Sequence, residues 1–523
     1  MFIAQTVPYL RQENSCTRAD HWGASVASHE LVLGFLRYSS AQGIHTFLRP
    51  ERMTSDMEIA RTGLQSRFPG REIAYLPQSV MPLEVKKRSY LFPVALETAP
   101  RLVLFRQLTG TLSFPVSAIV HTVPDHGQIS LYFSLLLLCE RCDFIVTTSQ
   151  AGRQAVTTLF EGCRSFITAR TGGANSLSPE MASIPLGVDV EEMSPGNREA
   201  SRSLLGIDPS CTVILYLGRF SQYFKGDLEP LLIAFTRLVF RFPEKSLHLV
   251  LAGRASHDKY EQRLRSLAEG MGIGDNVTFI MDFPFSRKRE LYRAADIFVS
   301  PVDHIQETFG LAVLDAMACG LPSVASEWSG YKDLIEEGKT GFLIHSSWSQ
   351  ATAASMSAMA AIQPDLAYET LASHTVIDVD HLEERLARLV SDPALAKEMG
   401  SLARQRACTF FSMRSVIQQY EDLWREQQRR LKEEDITPRL ALDYNEIFQH
   451  FASDQSLDHD NRSLYKEDQY RSKKYLLAKQ ANSGEDEVRW PKFMANHGTL
   501  TASDMDLDAF LWSLKKGLLT KTR

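Results

Sequence analysis

Residues Ser300–Ile344 read SPVDHIQETFGLAVLDAMACGLPSVASEWSGYKDLIEEGKTGFLI. The apolar run Ile297-Phe298-Val299-Ser300 that opens this stretch predicts the carboxyl end of a buried strand. Glu307 follows in a loop that leads into Phe309-Gly310-Leu311. A helix is expected from about Gly310 to Cys319, with Leu311, Leu314, Asp315 and Ala318 near helical spacing and Gly320-Leu321-Pro322 as its stop. A short apolar strand, Ser323-Val324-Ala325, and a loop bearing Ser329-Gly330 come next. Strand, acidic loop, helix N-terminus, strand is the order in which an open α/β sheet builds a ligand site outside the carboxyl ends of its strands.

Backbone N–H groups at the helix start, around Phe309 to Leu311, suit a phosphate or polar sugar oxygens. Glu307 and Asp315 are eight residues apart, just over two helical turns, so the loop and the helix place both toward one ligand. Taken alone, Glu307 reads equally well as an acid complementing the helix dipole, and Asp315 as a solvated acid. The whole stretch favours a site.

Glu307-Thr-Phe-Gly-Leu, then Asp315-Ala-Met-Ala-Cys-Gly-Leu-Pro, then Gly341-Phe342-Leu343 resembles the E-x7-E segment of retaining, nucleotide-sugar-dependent glycosyltransferases of the GT-B fold, the glycosyltransferase 4 group. The second acid here is Asp315 where the family has Glu, one methylene shorter toward the ribose that this residue holds in the family. The fold class that follows is α/β: two doubly wound Rossmann-like domains facing a cleft, with a mainly helical C-terminal extension.

The 523 residues suffice for two or three domains with ample core, and 44% hydrophobic with 23% charged residues is ordinary for a soluble globular protein. A net charge of −6 argues against broad nucleic-acid affinity. Met1-Phe-Ile-Ala-Gln-Thr-Val-Pro lacks a basic n-region and a long apolar run, so no signal peptide is expected. The run around Leu135 to Leu138 is far short of the roughly 20 residues of a membrane span. Seven scattered cysteines fit a reducing, cytoplasmic compartment. Cys139 and Cys142 form a lone C-x-x-C inside an expected buried helix, and core thiols are the favoured reading.

Residues 1–205 read as the first, acceptor-side domain. Met1–Val7 is an expected strand, and Gly23-Ala24-Ser25 opens a helix with Val26, Leu31, Val32, Phe35 and Leu36 on one face. A Gly loop there lets a phosphate approach the backbone, and the resemblance sets Gly23 across the cleft from the donor diphosphate. Further strands are expected at Ile73–Leu76, Leu102–Phe105 and Val116–His121. His121, at a strand's carboxyl end, reads either as a surface His or as a donor to a sugar hydroxyl; the family's His near the donor sugar favours the second. Cys142–Ser149 and Ile184–Asp189 resemble two more family segments, with Leu186 where Asn is usual.

Residues 206–410 read as the nucleotide-sugar-binding domain. Its first strand ends at Gly218-Arg219-Phe220, and Lys225-Gly226 follows before a helix over Leu228–Val239. An Arg and a Lys beside a strand end form a compact cationic site, Arg as a fork of donors and Lys as a mobile point charge. Two solvated surface cations are the bland alternative; the match to the family's G-R-x…K-G element implies that Arg219 and Lys225 hold the diphosphate leaving group. Strands are expected at Leu247–Gly253 and Val277–Met281, with the base met mostly by main chain in the family. Residues 346–376 read as a helical insertion, 411–433 as a helix crossing back to the first domain, and 434–523 as an extension of unreadable role. Within the last, Asp504–Lys516 is an amphipathic candidate that could touch an anionic membrane, although docking on the body or another subunit is the commoner use.

Asp378-Val-Asp380, Asp458-His-Asp460 and Asp504-Met-Asp506 look like D-x-D elements, but none ends a buried strand, so they read as solvated acids and no metal or cofactor is expected. The resemblance implies transfer of a hexosyl-type group from a nucleoside diphosphate sugar to an acceptor hydroxyl. Arg219 and Lys225 would take the diphosphate charge, Glu307 the sugar hydroxyls, and His121 the sugar from the opposing domain. Gly218, Phe309, Gly310 and Leu311 complete the donor site with Asp315 on the ribose. A sugar-nucleotide epimerase, a phosphorylase and a silent nucleotide- or glycan-binding scaffold stay open as alternatives.

Overall fold

The computed structural model describes residues 1–6, 23–49, 52–109, 114–123, 129–172, 179–255, 258–349, 356, 358–359, 362–433 and 447. The candidate amphipathic helix 504–516 and two of the three D-x-D elements lie outside these. Asp378 caps the helix Val379–Ser391 by accepting from His381 N, and Asp380 pairs with Arg237.

Two parallel sheets carry the described chain. The first joins β1 (Phe2–Gln5), β2 (Gly43–Leu48), β3 (Glu72–Pro77), β4 (Tyr90–Ala95), β5 (Val116–Val120), β6 (Phe144–Thr147) and β7 (Glu180–Ser183) in the order β3-β2-β1-β4-β5-β6-β7. The second joins β8 (Thr212–Phe220), β9 (Leu247–Ala255), β10 (Val277–Met281), β11 (Ile297–Ser300), β12 (Ser323–Ser326) and β13 (Gly341–Ile344) in the order β10-β9-β8-β11-β12-β13. Strands such as IFVS at β11 are buried on both faces and so read as unbroken apolar runs, the signature of a parallel sheet covered by helices. In the second sheet the chain runs outward from β8 to β10 and then returns beside β8 as β11. That reversal opens a crevice between the carboxyl ends of β8 and β11, where α/β sheets bind ligands.

Two local expectations fail. Leu102–Phe105 is not a strand but part of the helix Ala99–Thr109, and the strand of that region is β4. A short apolar run has no periodicity to separate a strand from a buried helix, and Pro100 in the first helical turn was the overlooked start signal. The C-x-x-C lies outside a helix: Ile129–Leu138 ends before Cys139, and both thiols are buried in the turn that follows. That turn is organised by Asp143, which accepts from Glu140 N at 2.9 Å and Val116 N at 2.9 Å and pairs with the fully buried Arg106. Among the described residues, the segment expected as a helical insertion holds the helix Pro364–Ser373 and two short antiparallel strands, β14 (Ser346–Trp348) and β15 (Thr375–Ile377).

The helix Met413–Glu433 returns to the first sheet. Phe35 packs edge-on against Tyr420, with ring centres 5.5 Å apart, and tilted against Trp424 at 5.2 Å. Gln427, fully buried, donates to Val116 O at 3.0 Å and Cys142 O at 2.8 Å and accepts from Ser117 Oγ at 2.8 Å. Among the described residues no helix is long and apolar enough to cross a membrane.

Candidate active site

Two loops meet at the crevice. The first follows β8, where Lys225 N and Gly226 N both donate to Ser221 O, at 3.0 and 3.1 Å, closing a tight turn. The second follows β11, where Glu307 N donates to His304 O at 3.1 Å. Across the gap the Lys225 ammonium forms an ion pair with the Glu307 carboxylate, whose other oxygen lies 3.4 Å from Phe309 N. Arg219, near the end of β8, donates to Phe224 O at 3.2 Å, and burial pulls its guanidinium below the usual arginine range. The Tyr216 hydroxyl donates to Arg219 O at 3.1 Å and stands where a side chain on Gly218 would have to go, 2.7 Å from an ideal Cβ. Arg219, Lys225 and Glu307 are thus brought together by two loops from the neighbouring strands β8 and β11.

Gly310 caps the helix Leu311–Ala318 with φ of 109° and ψ of 56°, a left-handed conformation that favours glycine. A Cβ there would lie 2.3 Å from the ring of Tyr331, which is fully buried and shares a 2.8 Å hydrogen bond with Ser300 Oγ. The helix therefore begins directly beside Glu307, and its first N–H groups, which have no intrahelical acceptors, lie at the crevice. Phe309 is buried in the core while Leu311 is half-buried.

The first domain supplies His121, immediately after β5. Thr308 Oγ1 donates to its carbonyl oxygen at 2.7 Å, a direct link between the Glu307 turn and the opposite sheet. Its Nε2 lies 3.5 Å from Ser28 Oγ, in the helix Gly23–Tyr38, and its buried Nδ1 has no partner among the described residues. Burial lowers its pKa to about 4, which keeps the ring neutral at neutral pH. Gly23 is the first residue of that helix; its lead-in, 7–22, lies outside the described residues.

Asp315, one turn into its helix, is buried and pairs with Lys288 Nζ at 2.5 Å. Sequence reading missed Lys288, because ion-pair partners on different helices leave no spacing to find. It also missed Asp303 and His304, both buried in the Glu307 loop itself. Burial, with the nearby charge of Asp227, pushes the Asp303 carboxyl up to about 7, whereas burial and the charges of Arg219 and Lys225 bring His304 down to about 4. His and Asp in a loop otherwise read as exposed polar residues, so nothing in the sequence separated them from their neighbours. The assembled site offers two cations, a carboxylate and a helix N-terminus at one crevice, a set suited to an anionic group joined to a hydroxylated one.

Residues 197–366 match the family model of glycosyl transferases group 1. A D-inositol 3-phosphate glycosyltransferase 2 of Catenulispora acidiphila is 36% identical over 162 residues, 30% of this chain and 37% of that protein. A D-inositol 3-phosphate glycosyltransferase of Mycolicibacterium gilvum is 30% identical over 238 residues, covering 44% of this chain and 51% of its own length. The chain thus spans about half the length, or less, of these curated relatives. Among solved structures, HepE of Anabaena in complex with UDP and glucose aligns with a TM-score of 0.55 at 15% identity, covering 82% of this chain and all of that one. Sucrose-phosphate synthase of Thermosynechococcus elongatus aligns with a TM-score of 0.53 at 18% identity, over 82% of this chain and 99% of its own. The paired sheets and these structural likenesses give the chain the GT-B fold, with a segment, residues 197–366, that matches the glycosyl transferases group 1 model.

Proposed function

We propose that this protein is a retaining glycosyltransferase that moves a hexosyl-type group from a nucleoside diphosphate sugar to an acceptor hydroxyl. The observation that carries the reading is the meeting of Arg219, Lys225 and Glu307 at the crevice between β8 and β11, beside the helix start at Gly310. Lys225 forms an ion pair with Glu307. When donor binds, the diphosphate takes the ammonium, and the released carboxylate accepts hydroxyls of the sugar. Arg219 and Lys225 then stabilise the charge that grows on the diphosphate as the anomeric bond breaks, which typically contributes about 2.7–4 kcal/mol per group. Main-chain N–H groups of Phe309, Gly310 and Leu311 meet the sugar and phosphate, and Asp315, with its Lys288 partner, lies toward the ribose. His121, kept neutral, meets the sugar from the opposing domain. In this reading the leaving group itself deprotonates the acceptor on the same face, so the anomeric configuration is kept without a covalent intermediate on the protein.

Relatives named as glycosyltransferases and a structural neighbour holding UDP and glucose support a nucleotide-sugar donor and make uridine donors the first to try. The test is a thermal-shift panel of nucleoside diphosphates and their sugars, followed by product analysis with and without candidate acceptors. A ligand at a hundred times its dissociation constant should stabilise by about 2.7 kcal/mol. Acceptor-dependent release of nucleoside diphosphate with retained anomeric configuration is the expected result. Conversion of donor to a new sugar nucleotide without acceptor would point to an epimerase instead, phosphate-dependent release of a sugar phosphate to a phosphorylase, and binding without turnover to a silent scaffold.

A further inference from the structure

His304 organises the turn that carries Glu307. Its carbonyl oxygen accepts from Glu307 N at 3.1 Å, and its Nδ1 accepts from Gln306 N at 3.1 Å. The ring is almost wholly buried, 1% exposed, and Nε2 finds no partner among the described residues, so packing holds it in place. That packing comes from residues far along the chain. Tyr368, on the helix Pro364–Ser373, stands edge-on to the His304 ring with centres 5.6 Å apart. It also stands edge-on to Phe224, the residue before Lys225, at 6.3 Å, while Phe224 and His304 are 6.1 Å apart. One side chain from the 346–377 excursion therefore touches both loops whose charged residues meet at the crevice.

A second contact reaches the same turn from the base of the excursion. Trp348, on β14, packs against Trp328 at 5.9 Å between ring centres, and Trp328 Nε1 donates to the His304 carbonyl oxygen at 2.9 Å. The base is itself tied down. β14 pairs with β15 in register Ser346 with Ile377, Ser347 with Val376 and Trp348 with Thr375, and Ser346 Oγ donates to Glu327 O at 3.0 Å. Ring on ring from Tyr368 and indole on carbonyl through Trp348 and Trp328 converge on one residue. Aromatic pairs at such distances are favourable beyond simple burial, and their preferred geometries restrict how the loops can shift.

We propose that β14 together with the helix Pro364–Ser373 forms a positioning element for the Lys225–Glu307 pair, acting through Tyr368 on Phe224 and His304 and through Trp348 on Trp328. Its role in turnover rests on the glycosyl-transfer reading; its role in holding the two loops does not. Tyr368 and Trp348 are positioning residues, acting on Phe224, His304 and Trp328 of the two loops. Loosening either lets Lys225 and Glu307 drift apart, and a misplacement of about 1 Å at a reacting centre costs on the order of a hundredfold in rate.

The test uses the full chain with Tyr368→Leu, Trp348→Leu and, as the ring-keeping control, Tyr368→Phe. Brief amine acylation read by mass spectrometry reports on the loops without any substrate. In the wild type Lys225 is protected by its ion pair, as is Lys288 by Asp315, which serves as the internal reference. Tyr368→Leu and Trp348→Leu should each raise the Lys225 labelling rate at least about threefold with Lys288 unchanged, as expected for a local opening, while Tyr368→Phe stays near wild type. On the transfer reaction the same two variants should lower kcat at least about tenfold with nucleoside diphosphate affinity little changed, and Tyr368→Phe should restore it. Unchanged Lys225 labelling in both Leu variants, or labelling that rises equally at Lys288, overturns the positioning role. A wild-type protein that turns over no nucleotide sugar removes the transferase reading, and the labelling result still decides this one.

Discussion

Lys225 and Glu307, 82 residues apart in the chain, form an ion pair across the crevice between the carboxyl ends of β8 and β11. The pair joins the turn after β8 to the turn after β11, and Arg219 stands beside it. Replacing Lys225 or Arg219 by Ala should lower glycosyl transfer at least about a hundredfold, the usual effect of removing one preorganised stabiliser of developing negative charge. Circular dichroism and the melting profile should still show a folded protein. Near-normal transfer by either variant would remove the assignment of that residue.

Gly310 sets where the helix Leu311–Ala318 begins. Gly310→Ala would put a methyl group against the Tyr331 ring and force a non-glycine residue to a φ of 109°. The conformational term alone costs about 1–2 kcal/mol. The variant should lose at least that much in urea denaturation and should weaken nucleoside diphosphate binding, because the displaced turn carries the N–H groups. Unchanged stability and affinity would mean that the turn is not held as described.

Asp303 links stability to pH. Its folded-state pKa, about 7, lies well above the usual carboxylate range, so folding favours the protonated carboxyl. That contribution is complete below the unfolded pKa and is lost as pH rises through about 7. Asp303→Asn, which cannot ionise, should therefore melt above the wild type at pH 8, with the gap closing toward pH 4. A gap of the same size at both ends would show that burial of this carboxyl is not the cause.

Lys288 and Asp315 are both largely buried, with side chains 14% and 7% exposed. Lys288→Met leaves the carboxylate without its cation, a change that typically costs about 3–5 kcal/mol at a buried pair. Adding Asp315→Asn to Lys288→Met should recover much of the loss. If the double variant is no more stable than the single one in urea melts, the pair is not the source of the cost.

Gln427 holds the last described long helix to the first sheet through three hydrogen bonds. Gln427→Leu would remove these hydrogen bonds to Val116, Cys142 and Ser117 from a buried site, at about 1–3 kcal/mol. Hydrogen exchange should accelerate through residues 413–433 ahead of the sheets. Uniform exchange across the chain would show that this contact does not govern the helix.

Most of the fold was legible because its signals are local. Ile297-Phe298-Val299-Ser300 and Val277–Met281 are strands by apolar content alone, and the stretch from Glu307 to Pro322 announces its helix by spacing and by the glycine and proline that bound it. Legibility failed where a signal is shared by two structures. Leu102–Phe105 is equally apolar as strand or buried helix, and only the helix's placement over the sheet decides. The candidate site divided in the same way. Glu307, Arg219 and Lys225 were named from motifs, whereas Lys288, Asp303, His304 and Tyr368 became visible only through packing between residues far apart in the chain.

By itself the sequence determined the element order, the two alternating α/β units and the residue types available at each strand end, since these follow from periodicity and turn chemistry acting over a few residues. Tertiary structure alone decided which of those residues meet. The return of the chain beside β8 as β11 brings Glu307 to Lys225, and the contact of Thr308 with the His121 carbonyl sets the first sheet against the second. Contacts between residues far apart in the chain depend on loop closure and burial summed over the whole molecule, and no window of neighbouring residues contains that sum.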